Sequence, residues 1–166
     1  STGSKIYLST DNLAAGANYV VYSKGSVYIN GNITYTNGGY TSPSNVPQLI
    51  IITDGSIFID GNVTRVDAWL IAKSSDSNKG IIRTCADSNG NSQNEATCSK
   101  QLRINGPIVA RQLELNRVYG AAPGNNSATA AEIINLSPAT YVFSQSKASD
   151  NATLRTVYSK EVAPRW

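Results

Sequence analysis

Residues 20–34 read VVYSKGSVYINGNIT, and residues 50–64 read IIITDGSIFIDGNVT. The two stretches match in residue type at every position except Tyr22/Ile52 and Lys24/Asp54. A weaker third copy, LRINGPIVA, runs from Leu102 to Ala110. Self-similarity at a fixed spacing is the signature of a solenoid, where each repeat buries its apolar edge against the next.

Within each copy the apolar residues alternate. Val27 and Ile29 share a face with Tyr28 opposite, and Ile57 and Ile59 repeat this with Phe58 opposite. Leu102 and Ile104 do so with Arg103 opposite. A period of two means strand. Asn30-Gly31, Asp60-Gly61 and Asn105-Gly106 then supply tight corners. Several short strands and Gly corners per repeat predict coils of a parallel β-helix, right-handed by preference. In such a fold Ile29 stacks on Ile59 and Ile59 on Ile104, with Tyr28, Phe58 and Arg103 pointing outward. Ile81 and Ile82 match Ile50 and Ile51 with one extra residue between the copies. The fold class expected is all-β: a short parallel β-helix, its coils in 1–120, with a disulfide-clipped loop over 85–98. Residues 121–166 read as a linker, a short helix ATYVFSQSK and a capping tail of the same domain.

The two cysteines, Cys85 and Cys98, bracket the polar segment ADSNGNSQNEAT. Two cysteines around one turn-rich loop predict a disulfide staple and an oxidising compartment, hence an extracellular or cell-surface location. The 166 residues suffice for one domain with a real core, and hydrophobic residues make up 40 % of them. Charged residues are only 15 %, with Asn, Ser, Thr and Gly in their place. A net charge of +3 without a basic stretch interleaved with aromatics argues against nucleic acid. The absence of His removes a Ser or Cys triad and a tetrahedral metal site. No cofactor is expected. No stretch approaches the ~18 apolar residues of a membrane span, so membrane contact is expected only through an anchor upstream of Ser1.

Four groups of residues are candidates for function. Asp87, Asn89, Asn91 and Glu95 have partial calcium-loop spacing, although Ser92 stands where the EF-hand pattern requires Gly. Asn32, Asn62, Asn125, Asn135 and Asn151 each begin an N-x-Ser/Thr triplet. In the repeat, Asn is better explained as a corner residue or a stacked amide. Tyr28, Phe58 and Arg103 form a candidate ligand face, since aromatic and Arg side chains on a flat surface bind sugars or proteins. Asp60, Asp67, Arg65, Arg103 and Arg111 are the groups from which a polysaccharide-cleaving site would be drawn. Acids in neighbouring segments do not by themselves make a carboxylate pair.

From Val63 onward the chain resembles minor-pilin-like, β-helical surface proteins of small-genome candidate-phyla bacteria (Saccharibacteria and relatives). The residues that carry the likeness are Val66-Asp67-Ala68-Trp69, Cys85, Cys98, Asn105-Gly106, Arg117, Glu132 and Pro138. The tail Lys160-Glu161-Val162-Ala163-Pro164-Arg165-Trp166 adds to it, with Val162-Ala163 in place of the usual Leu-Pro. The resemblance covers roughly the last two thirds of the chain. It implies a membrane-anchored surface protein and carries over no catalytic residue.

The function expected is therefore an extracellular structural or adhesive protein and not an enzyme. It would be the exposed part of a minor-pilin-like or other surface appendage. Its partners would be other surface or pilus subunits, or glycans or proteins of a host or neighbouring cell. The alternatives are a carbohydrate-binding module or polysaccharide-cleaving β-helix enzyme, and a self-assembling filament subunit.

Overall fold

Alternating apolar residues between Gly and Asn corners leave the chain little choice but short extended segments. The computed structural model describes residues 3–36, 40, 42–118, 130–136, 140 and 142. In chain order the strands are β1 (Ile6–Leu8), β2 (Asp11–Leu13), β3 (Asn18–Ser23), β4 (Val27–Ile29) and β5 (Ile33–Tyr35). Next come β6 (Gln48–Thr53), β7 (Ile57–Ile59), β8 (Arg65–Val66), β9 (Trp69–Ala72) and β10 (Ile81–Thr84). The series closes with β11 (Leu102–Asn105), β12 (Ile108–Ala110), β13 (Gln112–Glu114) and β14 (Glu132–Asn135). Short 3-10 turns lie at Pro43–Asn45 and Thr97–Ser99.

The strands form three parallel sheets. Sheet A has the order β1-β4-β7-β10-β13, sheet B β14-β11-β8-β5-β2, and sheet C β12-β9-β6-β3. The chain thus visits A, B and C in turn, and each strand from β4 on pairs in parallel with the strand three before it; each successive set of A, B and C strands is one rung. The repeat read from sequence is the pairing of β3 and β4 with β6 and β7, thirty residues on: Val27 lies against Ile57 and Ile29 against Ile59. In sheet C the same offset sets Val20 against Ile50.

Inward residues of all three sheets meet in one hydrophobic cluster. It includes Val27, Ile29, Ile57, Ile59 and Ile82 from sheet A, Leu13, Ile33, Val66 and Ile104 from sheet B, and Ile51 and Leu70 from sheet C. Ile29, Ile51, Ile57, Ile59, Leu70 and Leu102 are each 0 % exposed.

Three expectations are corrected. Ile104 does not stack on Ile59. It lies in sheet B between Val66 and Ile134, and Thr84 takes the place beside Ile59. Likewise Ile82 pairs with Ile57, and Ile51 with Leu70. The physical reason is that Gly corners serve more than one vertex. Asn30-Gly31 and Asp60-Gly61 turn the chain from A to B, whereas Asn105-Gly106 turns it from B to C. In that rung the A-to-B turn is the cysteine loop. Finally β14, inside the segment read as linker and cap, is a strand of sheet B, so the sheets run past residue 120. The helix expected over 139–147 falls, apart from Thr140 and Val142, outside the described residues. Among the described residues no helix is long and apolar enough to cross a membrane.

Candidate functional site

Cys85 follows β10 with φ of 53°, turning the chain off sheet A, and bonds to Cys98 across a Cα separation of 5.5 Å. Both cysteines are buried. The loop between them does not project as a side excursion. It lies over the outer face of sheet A, the face that carries Tyr28 and Phe58.

Four contacts hold it there. Gly90 sits on Phe58 so closely that a Cβ at Gly90 would come within 2.5 Å of Phe58 Cζ. Its φ of +84° is also one that residues with a side chain rarely adopt. The Gly90 carbonyl accepts from Arg83, whose guanidinium also pairs with Glu114 on β13. Further down the sheet, Lys5 donates to the Ser88 carbonyl and, at 3.3 Å, to Asn89 Oδ1. On the return limb, Gln93 Nε2 donates to Asp60 Oδ2 at 2.8 Å while its Oε1 accepts from the Gly61 amide at 2.7 Å.

Tyr28 is consequently 8 % exposed, which corrects its reading as an open ligand residue. Its ring meets Tyr7 edge to face at 5.9 Å, and its hydroxyl donates to Asp60 Oδ2 at 2.5 Å. Burial, then the bond to Asp60, push the phenol well above its usual range. Burial opposes the charge of Asp60. Hydrogen bonds from Tyr28, the Asn62 amide, Gln93 and the Asn62 side chain outweigh it and hold the carboxyl below its usual range. Phe58 is half-buried under Gly90. Arg103 is exposed but belongs to sheet B, beside Arg65 in register, so it shares no face with Tyr28 and Phe58.

The calcium candidates form a turn of their own. Asp87 Oδ1 accepts from the amides of Asn89 and Asn91 at 2.8 and 2.9 Å, and its Oδ2 from Asn91 Nδ2 at 3.1 Å. These bonds, the Asn91 side chain's first, lower its carboxyl pKa. Glu95 is exposed. Among the described residues no three His, Cys, Asp or Glu side chains are grouped to hold a metal ion.

The acid and base candidates are spent on separate corners. Asp67, 1 % exposed, pairs with Arg65 at 2.8 Å. It also accepts from Asn105 Nδ2 at 2.6 Å and from the Tyr35 amide at 2.9 Å. Arg111 donates to the carbonyls of Lys79 and Ser77, clasping the turn before β10. The triplet asparagines behave as corner residues. Asn32 Oδ1 accepts from the Thr64 amide at 2.8 Å, and Asn62 Nδ2 donates to Asp60 at 3.1 Å. Asn135 donates to Asn105 Oδ1 at 3.1 Å, while Asn125 and Asn151 lie outside the described residues.

The sequence did not assign Arg117 or Gln93 a role. Arg117 is 7 % exposed, and its guanidinium donates to the carbonyls of Asp60 at 2.8 Å, Val63 at 2.9 Å and Gly61. Its own amide donates to Glu132 Oε1 at 3.2 Å. Burial lowers the Arg117 pKa and raises that of Glu132. Nothing in a lone Arg after a strand signals a side chain that returns to cap carbonyls of an earlier corner.

No protein-family model matches the chain, and no curated protein or solved structure matches it either.

Proposed function

We propose that the chain is a closed, right-handed parallel β-helix acting as an extracellular scaffold or adhesive surface. The observation that carries this reading is where the charge goes. Asp60, Asp67, Arg65, Arg83, Arg111 and Arg117 are all engaged in holding corners, turns or the cysteine loop. A catalytic acid or base needs a position facing substrate, and these face the fold's own backbone and side chains. The Cys85–Cys98 disulfide supports an oxidising compartment. The resemblance to candidate-phyla surface proteins supports a place on a cell surface, among other surface or pilus subunits.

The test is a panel of polysaccharides, with and without calcium, alongside binding arrays of glycans and cell-surface proteins. We expect no turnover. Glycan binding without turnover would shift the chain to the carbohydrate-binding alternative. Cleavage abolished by changing Asp60, Asp67, Arg103 or Arg111 would overturn the scaffold reading.

A further inference from the structure

Exposed apolar surface is gathered at the two ends of the stack. Tyr7, Tyr19 and Val20 on the first rung are 58, 60 and 65 % exposed, and Val109, Leu113 and Ile134 on the last strands are 54, 40 and 43 % exposed. Among the described residues, β4 to β11 carry no large apolar side chain so exposed. Among the described residues, the same ends carry the strand edges without a pairing partner: β1 and β13 in sheet A, β2 and β14 in sheet B, β3 and β12 in sheet C. Unpaired edges beside apolar surface are templates for pairing with another chain. At the first rung a cavity of about 450 Å³ opens onto Leu8, Leu13, Val21, Ile33 and Leu49.

One column of polar side chains says which chain fits. In sheet B, Asn12 pairs in register with Thr34 and Asn105 with Asn135, and Asp67 stands between them, directly after Val66, which pairs with both Ile33 and Ile104. Their side-chain bonds share a direction. Asn135 Nδ2 donates to Asn105 Oδ1 at 3.1 Å, Asn105 Nδ2 to Asp67 Oδ1 at 2.6 Å, and Thr34 Oγ1 to Asn12 Oδ1 at 3.1 Å. Each donates toward the first rung. The column therefore ends there on the Asn12 amide, a donor, and at the last rung on Asn135 Oδ1, an acceptor. Neither atom has a partner among the described residues.

We propose that copies of this chain associate head to tail. Strands β13 and β14 of one copy pair in parallel with β1 and β2 of the next, and Asn12 Nδ2 of the second donates to Asn135 Oδ1 of the first. The two ends differ, so the contact is heterologous and repeats into an open chain of copies. Among the described residues, sheet C stops one strand short at the last rung. The junction is therefore made through sheets A and B and leaves a one-strand opening beside the cavity over Pro107, Ile108 and Ala110.

Neighbouring strands lie about 4.8 Å apart, within reach of a disulfide. Single variants N12C and N135C, each with the native Cys85–Cys98 bond intact, are mixed under mild oxidation. The expected product is the N12C–N135C heterodimer, with a ladder of covalent multimers from the double variant. In sedimentation velocity the wild-type chain should grow in mass with concentration. Asn12→Asp keeps the acceptor for Thr34 but removes the donor, and should weaken association about tenfold with an unchanged circular dichroism spectrum. Homodimers of N12C in place of heterodimers would overturn the polarity and with it the proposal. So would a monomer at all concentrations with no cross-link, or association unaffected by Asn12→Asp. These readouts use purified protein and are independent of any role at a cell surface.

Discussion

Tyr28 and Asp60 show how a residue intended for solvent by its phase ends up inside. The phenol donates to a carboxylate that also binds Gln93 and Asn62, so its loss leaves a charged acceptor short of one bond. Tyr28→Phe should cost about 1.5–3 kcal/mol near neutral pH, read by urea denaturation. The cost should depend on pH in both directions. Asp60 has a lowered pKa, so its contribution is present above the ordinary carboxylate value near ~3.9 and is lost as pH falls through the folded one. Tyr28 has a raised pKa, so its contribution is present below ~10 and is lost as pH rises toward the folded value. The gap between wild type and variant should therefore narrow at both extremes, and a pH-independent gap would contradict the pairing. Arg117→Met, which strands the carbonyls of Asp60, Gly61 and Val63, should cost about 2–4 kcal/mol in the same assay. Lys should rescue it only in part, since an ammonium lacks the guanidinium's fork. Period-two patterning reveals the side of the strand on which Tyr28 lies. It does not reveal what is laid on top, and that is why the candidate ligand face was misread.

The cysteine loop is the element on which sequence and structure part most clearly. Its staple was legible because two cysteines around turn-rich residues leave one economical pairing. Its position was not, because Gly90, Lys5 and Gln93 act over long sequence separations and belong to no motif. The vertex at which it leaves was legible only once the rungs were counted, since Asn-Gly marks corners of more than one kind. Gly90→Ala should destabilise by about 1–3 kcal/mol, from the strained φ and the clash with Phe58, and thermal unfolding would show it. Reducing the disulfide, or replacing both cysteines by Ser, should cost up to ~3 kcal/mol. The sheets should keep their far-ultraviolet dichroism, because no strand pairing lies within residues 86–97 except the Ala86–Ser92 bridge. What should change is the accessibility of Tyr28 and Phe58, measured by tyrosine nitration and by dye binding. Loss of the β signal on reduction would show that the loop carries the sheets.

At the scale of the molecule, stability should be graded along the stack. Ile59 lies in the third rung with neighbours in its sheet on both sides, whereas Leu13 lies on an edge strand. Ile59→Ala should cost about 2–5 kcal/mol, and Leu13→Ala less, because edge rungs open locally before the whole. Amide exchange should follow the same gradient, slowest on β7 and faster on β1, β2 and β14. Exchange that is uniform across the rungs would contradict it. The all-β, parallel, stacked character of the chain was readable from one repeated stretch, since identity at fixed offset means like residues in register. The three sheets were not readable from it, because later rungs vary in length and the eye pairs motifs where the chain pairs vertices. The loop over sheet A has a further consequence for biosynthesis. A chain emerging N-terminus first lays down β1, β4 and β7 before residues 85–98 exist to cover them. Until Cys98 is made and oxidised, Tyr28 and Phe58 stand bare, so the nascent chain passes through a sticky interval that ends only when oxidation seals the loop.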